Sequence, residues 1–232
     1  MRFSSPLIRR LLAACALIAG SATPAAAAGD AASIWHGAGK VVPVNAASEP
    51  VYGQSNSDFS VIVWIDPECP YCKMLGRAPE DVVDESGGQV NLAVRLLPLP
   101  NHGRAAFMSA ATAICVNRQS AATGYYRFLG RYMKLTRTNG AGLPETPATS
   151  LEALAREAGA SDMAKLDACI HSPETIQTLG NGFEAASAAG VTGTPAIAVR
   201  DNRSGTVAMA EGALSADEIS RFIRTLGARS AN

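Results

Sequence analysis

Cys69 and Cys72, in the run Asp66-Pro67-Glu68-Cys69-Pro70-Tyr71-Cys72-Lys73, are the residues of this chain whose type and spacing most plainly suit chemistry. A thiol at the start of a helix meets unpaired backbone N–H groups and the positive end of the helix dipole, which lower its pKa and make it nucleophilic near neutral pH. A second cysteine three residues on lies one turn away on the same face, within reach of an intrahelical disulfide. The expected chemistry is thiol–disulfide exchange, with Cys69 attacking and Cys72 resolving. A second signal lies far downstream, where Thr192-Gly193-Thr194-Pro195 runs into Ala196-Ile197-Ala198-Val199. A proline heading a strand can take a cis peptide and leave the preceding residue's backbone free to pair with a visiting extended chain. Thr194 and Pro195 are therefore the candidate substrate-binding residues, set against the plainer alternative of an ordinary strand-start proline.

The elements that would position these residues are legible around them. Phe59 to Ile65 is dense in β-branched and aromatic residues and reads as a buried central strand. Pro70 to Asp84 reads as a helix, Gly87-Gly88 as its stop, and Gln89 to Leu97 as a second central strand, which completes a right-handed βαβ unit. Helices are expected over Arg104 to Asn117, around Tyr125 to Met133, over Leu151 to Ala158, over Ser161 to Ile170 with Ser161 as N-cap, and over Pro173 to Ala189, stopped by Gly190. Pro195 to Val199 and Thr206 to Ala210 read as a hairpin, and Ser215 caps a last amphipathic helix reaching Leu226. The order is βαβ, a helical stretch, then ββα.

The chain has 232 residues, 20 basic and 20 acidic. Residues 1–28 have the parts of an export signal in order: Arg2, Arg9 and Arg10, an apolar run, then small residues ending in Ala26-Ala27-Ala28. Cys15, after Leu12-Ala13-Ala14, resembles a lipoprotein processing box, but the apolar run continues past it, and a bland cysteine in a discarded signal explains it better. Removing the signal leaves 17 basic against 20 acidic residues, a balance that argues against nucleic acid as a partner. Export to an oxidising compartment, the bacterial periplasm, is the expected destination.

Four of the five cysteines then remain. An even number in an exported chain suggests two disulfides, the close pair catalytic and the distant pair, Cys115 with Cys169, structural. Zinc sites also use C-x-x-C, but they bring a second close pair, whereas Cys115 and Cys169 are far apart and the three histidines show no ligand spacing. No metal or cofactor is expected. Glu68 and Lys73 could tune the pair or simply be solvated. Glu80, Asp81, Asp84 and Glu85 read as a wet helix face, His102 as a loop or capping residue, and Trp35 and His36 as a packed and an exposed residue.

The run from Asp66 to Lys73 together with Gly193-Thr194-Pro195-Ala196 resembles the DsbC and DsbG group of periplasmic disulfide isomerases, within the wider DsbA-like thioredoxin superfamily. The resemblance covers roughly residues 57–227 and implies a thioredoxin fold, α/β in class, with a helical insertion between the βαβ and ββα halves. The corresponding organisation is a signal peptide at 1–28, an N-terminal arm at 29–57, a thioredoxin-like domain at 58–103 and 191–227, a helical insertion at 104–190 and a tail at 228–232. It implies a thiol:disulfide interchange enzyme for exported proteins, in the first place an isomerase or reductase of the DsbC/DsbG type kept reduced by a DsbD-like membrane partner, with a DsbA-like dithiol oxidase kept oxidised by a DsbB-like partner as the alternative. Val63 stands six positions before Cys69, where thioredoxin and DsbA carry a carboxylate, and is apolar as in the isomerases. Tyr71 supplies no positive charge, so a less extreme thiolate than that of DsbA is expected. One departure stands out, since 29–57 is too short for the DsbC/DsbG dimerisation domain, and two other readings stay open: a chaperone without redox turnover or a sulfenic acid reductase would use the same groove or nucleophile.

Overall fold

The computed structural model describes residues 34–144 and 146–230; the stretch read as an export signal, 1–28, and Cys15 within it lie outside the described residues. Its centre is a six-stranded sheet in the order β1-β6-β5-β3-β4-β2. The strands are β1 (His36–Gly37), β2 (Val51–Gly53), β3 (Phe59–Ile65), β4 (Val90–Leu96), β5 (Ala196–Asp201) and β6 (Val207–Glu211). β3 runs parallel to β4 and antiparallel to β5, so the redox motif leaves the middle of the sheet. The arm before β3 supplies both edges, β1 against β6 and β2 against β4. Edge strands this short offer little unpaired backbone to another chain.

The period-2 alternation of β3 divides the core between two faces. Val61, Val63 and Ile65 pack with the larger cluster, which includes Tyr125, Phe128, Leu129, Ile219 and Phe222. Ile62 and Trp64 point the other way, against Val41, Leu97, Ala186 and Ala189. Trp35 joins the larger cluster by stacking on Phe222, with ring centroids 3.9 Å apart.

The helices are α1 (Pro70–Leu75), α2 (Ala78–Glu85), α3 (Gly103–Leu135), α4 (Leu151–Glu157), α5 (Met163–Ile170), α6 (Pro173–Ala189) and α7 (Ala216–Ser230). Three differ from expectation. The single helix expected over Pro70 to Asp84 is two, because Gly76 leaves helical geometry at φ 57° and Pro79, without an N–H, sits in the first turn of α2. The two helices expected over Arg104 to Asn117 and Tyr125 to Met133 join into α3, kinked where Ala121 takes φ 52°. The N-cap of α5 is Asp162 rather than Ser161, its carboxylate accepting from Lys165 N while Ser161 N donates to Gln119. Ser215 and Glu218 form the reciprocal capping pair at the start of α7.

Helices α3 to α6 are the insertion between β4 and β5, and the Cys115–Cys169 disulfide ties α3 to α5. Gly124 lets α3 and α4 approach closely, since a Cβ there would lie 2.9 Å from the Ala158 carbonyl oxygen. Among the described residues no helix is long and apolar enough to cross a membrane.

Candidate active site

Cys69 is the N-cap of α1 and Cys72 lies on its first turn, both as free thiols. Pro70 at N1 costs the helix no hydrogen bond, because that N–H would have no partner anyway. The two sulfurs differ in access: Cys69 is 4% exposed and Cys72 is fully buried, which leaves Cys69 as the sulfur an incoming group can reach. Across the site, the Thr194–Pro195 peptide is cis, and Cys69 in its protonated form donates to the Thr194 carbonyl oxygen at 3.2 Å. The Thr194 hydroxyl is buried without an oxygen or nitrogen partner, which leaves it available to the sulfur. Residues 125 positions apart in sequence thus form one site.

The local dipoles favour a charged Cys69. A hydrogen bond from the Cys72 thiol is the largest influence; burial opposes it, and the Thr194 hydroxyl and the backbone N–H groups of Cys72 and Tyr71 add to it, bringing the pKa down to about 5. Cys72 moves the other way, pushed far up by burial and then by the neighbouring Cys69. The pair is therefore asymmetric, an ionised outer sulfur held by a protonated inner one. The influences that lower the Cys69 pKa are hydrogen bonds. The Lys73 ammonium donates instead to the Thr136 carbonyl oxygen at 2.7 Å.

Two carboxylates brace the segment entering the helix, and neither role shows in the sequence. Asp66, fully buried, accepts from Glu68 N and Leu99 N, each at 2.7 Å, and its Oδ2 lies 2.7 Å from His102 Nδ1. His102 therefore sits beneath the motif, bonded to Asp66, and caps nothing with its side chain.

Glu68 corrects the reading of a solvated flank: it is fully buried. Its Oε1 accepts from the Tyr132 hydroxyl at 2.6 Å and from Thr136 Oγ1, and its Oε2 from Gly142 N at 3.0 Å. The Glu68 carbonyl takes a further bond from Asn139 N at 2.7 Å. The residue before the nucleophile is thus pinned to the end of α3 and the loop after it. The acidic face of α2 is also less uniform than expected, because Glu80 is half-buried and burial raises its pKa.

Tyr71 and Met74 stand on the exposed side of α1, 60% and 72% accessible, an apolar margin beside Cys69. Val63 is fully buried in β3, so no carboxylate stands at that position behind the pair.

A family model described as thioredoxin (Thioredoxin_4) matches residues 45–225. The crystal structure of Pseudomonas aeruginosa DsbA2 is similar at 28% identity and TM-score 0.66, covering 81% of this chain and 97% of its own. Chlamydia trachomatis DsbA aligns at 20% identity and TM-score 0.63, with 82% and 96% covered. The catalytic domain of Proteus mirabilis ScsC aligns at 20% identity and TM-score 0.60, with 78% and 89% covered. These last two likenesses concern the fold. No curated protein matches the sequence.

Proposed function

Because the chain belongs to the thioredoxin family over residues 45–225, we propose that it is a thiol:disulfide oxidoreductase of the DsbA-like kind, acting on exported proteins and running as a dithiol oxidase. The observation that carries the direction is the likeness to Pseudomonas aeruginosa DsbA2, 28% identical over 81% of this chain, and the hydrogen-bonded Cys69 thiolate is in keeping with it. A pKa of about 5 lies between the values of about 3.5 for DsbA and about 7 for thioredoxin. A stabilised reduced form makes the disulfide a better oxidant.

Oxidation of a substrate dithiol proceeds in two exchanges. A substrate thiolate attacks Cys69 Sγ, the Cys69–Cys72 bond breaks, and Cys72 leaves and takes up a proton, as its raised pKa favours. The second substrate thiolate then attacks the substrate sulfur of the mixed disulfide and expels Cys69 as thiolate, a good leaving group because its pKa is low. The substrate leaves oxidised and the protein holds two thiols, to be reoxidised by a membrane partner of the DsbB kind. Thr194 and Pro195 line the face on which an extended substrate segment lies, and Tyr71 and Met74 give it an apolar margin.

A second reading, isomerase or reductase of the DsbC/DsbG kind served by a DsbD-like partner, is favoured by buried Val63 and uncharged Tyr71. The periplasmic destination rests on the export-type sequence of 1–28 and is supported by the Cys115–Cys169 bridge, which suits an oxidising compartment. The deciding experiment traps the thiols of Cys69 and Cys72 in living cells with an alkylating label. The oxidase reading expects them mostly disulfide-bonded, and a mostly reduced pair overturns it in favour of the isomerase. Cys69→Ser abolishes both activities, so a fully active variant would remove thiol exchange altogether.

A further inference from the structure

On the helical face of the sheet, a cleft of about 1050 Å³ opens between α1–α2 and the second half of α3. Its floor is apolar, formed by Val63, Ile65, Cys72, Val94, Leu129 and Met133. Val94 and Met133 remain partly exposed there, so the packing of the chain itself leaves apolar surface uncovered. The volume is at the upper end of the range of small-molecule sites, about 300–1,000 Å³.

The rim has a different character. Lys73, Arg77, Arg127, Arg131 and Lys134 line the cleft, against the acidic Glu80 and Glu157. This cationic excess belongs to a chain whose charges balance overall. Arg127, Arg131 and Lys134 recur at i, i+4 and i+7 on α3 and so share one helix face. Arg77 is neutralised by Asp81 and Asp84, and Arg131 by Glu157 at 3.2 Å. Arg127 and Lys134 have no carboxylate partner among the described residues.

We propose that this cleft binds an anionic amphiphile, a molecule with an apolar body and one carboxylate head, of the fatty acid class. The apolar body lies along the floor, where burying it removes both its own surface and that of Val94 and Met133 from water. The head pairs with Arg127 and Lys134, whereas Lys73, also without a carboxylate partner, is held by the Thr136 carbonyl oxygen. Charge complementarity selects an acid over a neutral lipid, and a single carboxylate head can bridge the neighbouring Arg127 and Lys134 on α3. The occupant lies against Cys72 on the floor, separate from the exposed margin of Tyr71 and Met74.

Calorimetric titration of the folded protein with dodecanoate, below its micelle concentration, tests the site. Saturable binding of one dodecanoate per chain is expected, with dodecanol and dodecyl maltoside much weaker. The double substitution Arg127→Ala, Lys134→Ala removes the charge-assisted bonds and weakens dodecanoate roughly tenfold or more. Gly130→Leu supplies an independent block: Gly130 lines the cleft, a Cβ there meets nothing within 4 Å, and leucine suits a helix better than glycine. Equal affinity in the double variant, equal affinity for dodecanol, or no saturable binding would overturn the proposal. A change of oligomeric state on Gly130→Leu would also overturn it, because the cleft would then be a contact between copies of this chain.

Discussion

The hydrogen bond from Cys72 to Cys69 is the largest cause of the low pKa at Cys69, and it can be removed without disturbing access to the outer sulfur. Cys72→Ala takes away the donor, whereas Cys72→Ser replaces one donor with another of similar size. A hydrogen bond to a charged group contributes about 1.5–3 kcal/mol, and one pKa unit corresponds to about 1.36 kcal/mol, so the bond accounts for about one to two units. Cys69 should then titrate at roughly 6 to 7 in Cys72→Ala and stay near about 5 in Cys72→Ser. The ultraviolet absorbance of the thiolate follows this directly, and the rate of iodoacetamide alkylation gives the same curve by an independent route. At about pH 6 the alanine variant should react roughly two- to tenfold more slowly than the serine variant, in proportion to its thiolate fraction. If the two variants titrate together, the backbone N–H groups of α1 and the Thr194 hydroxyl carry the whole shift, and the account of an inner thiol holding an outer thiolate is wrong.

The other expectations follow from neighbouring parts of the site. Thr194→Val removes the buried hydroxyl at nearly constant volume and should raise the Cys69 pKa by about one unit in the same titration. Because Cys69 is depressed from 9.0 in the unfolded chain to about 5 when folded, the unfolded state holds the extra proton between those values. Stability of the reduced protein relative to Cys69→Ser should therefore be full above about pH 9 and fall by about 1.36 kcal/mol per unit as pH drops toward about 5, read by urea unfolding. Glu68→Ala strands the buried donors of Tyr132 and Gly142 and should cost about 3 kcal/mol in urea unfolding, with Glu68→Gln costing less. Replacing both Cys115 and Cys169 by alanine releases a loop of sequence separation 54, and should lower the stability of the oxidised protein by about 4 kcal/mol in the chain-entropy picture.

The parts of this site that were legible in the sequence are those whose cause is local. The β-branched run from Phe59 to Ile65 forms the central strand, and the hydrophobic spacing of the later helices matches the insertion. Pro79 could have divided the helix expected from Pro70 to Asp84, since a proline that far inside removes a hydrogen bond and clashes with the preceding turn. The kink at Ala121 has no such marker, because neither glycine nor proline stands there.

Asp66 and Glu68 were illegible for a deeper reason. A charged residue beside a functional motif is ordinarily solvated, and burial is tolerated only when hydrogen bonds replace the water. Beside the backbone N–H groups of Glu68 and Leu99 that bond Asp66, the side-chain and loop partners are 36 residues away for Asp66, at His102, and 64, 68 and 74 away for Glu68, at Tyr132, Thr136 and Gly142. Three of those four partners belong to the helical insertion or the loop that follows α3, so the insertion supports the nucleophile directly. The segment from Asp66 to Lys73 is held from below by His102 and from the side by the end of α3, while its Cys69 sulfur stays directed at Thr194. A substitution in the loop from Thr136 to Gly142 should therefore reach the redox pair through Glu68, even though none of those residues touches a sulfur. The helical insertion is in this sense part of the active site's frame, which explains why a carboxylate that reads as an ordinary flank is buried beside a cysteine that must stay charged.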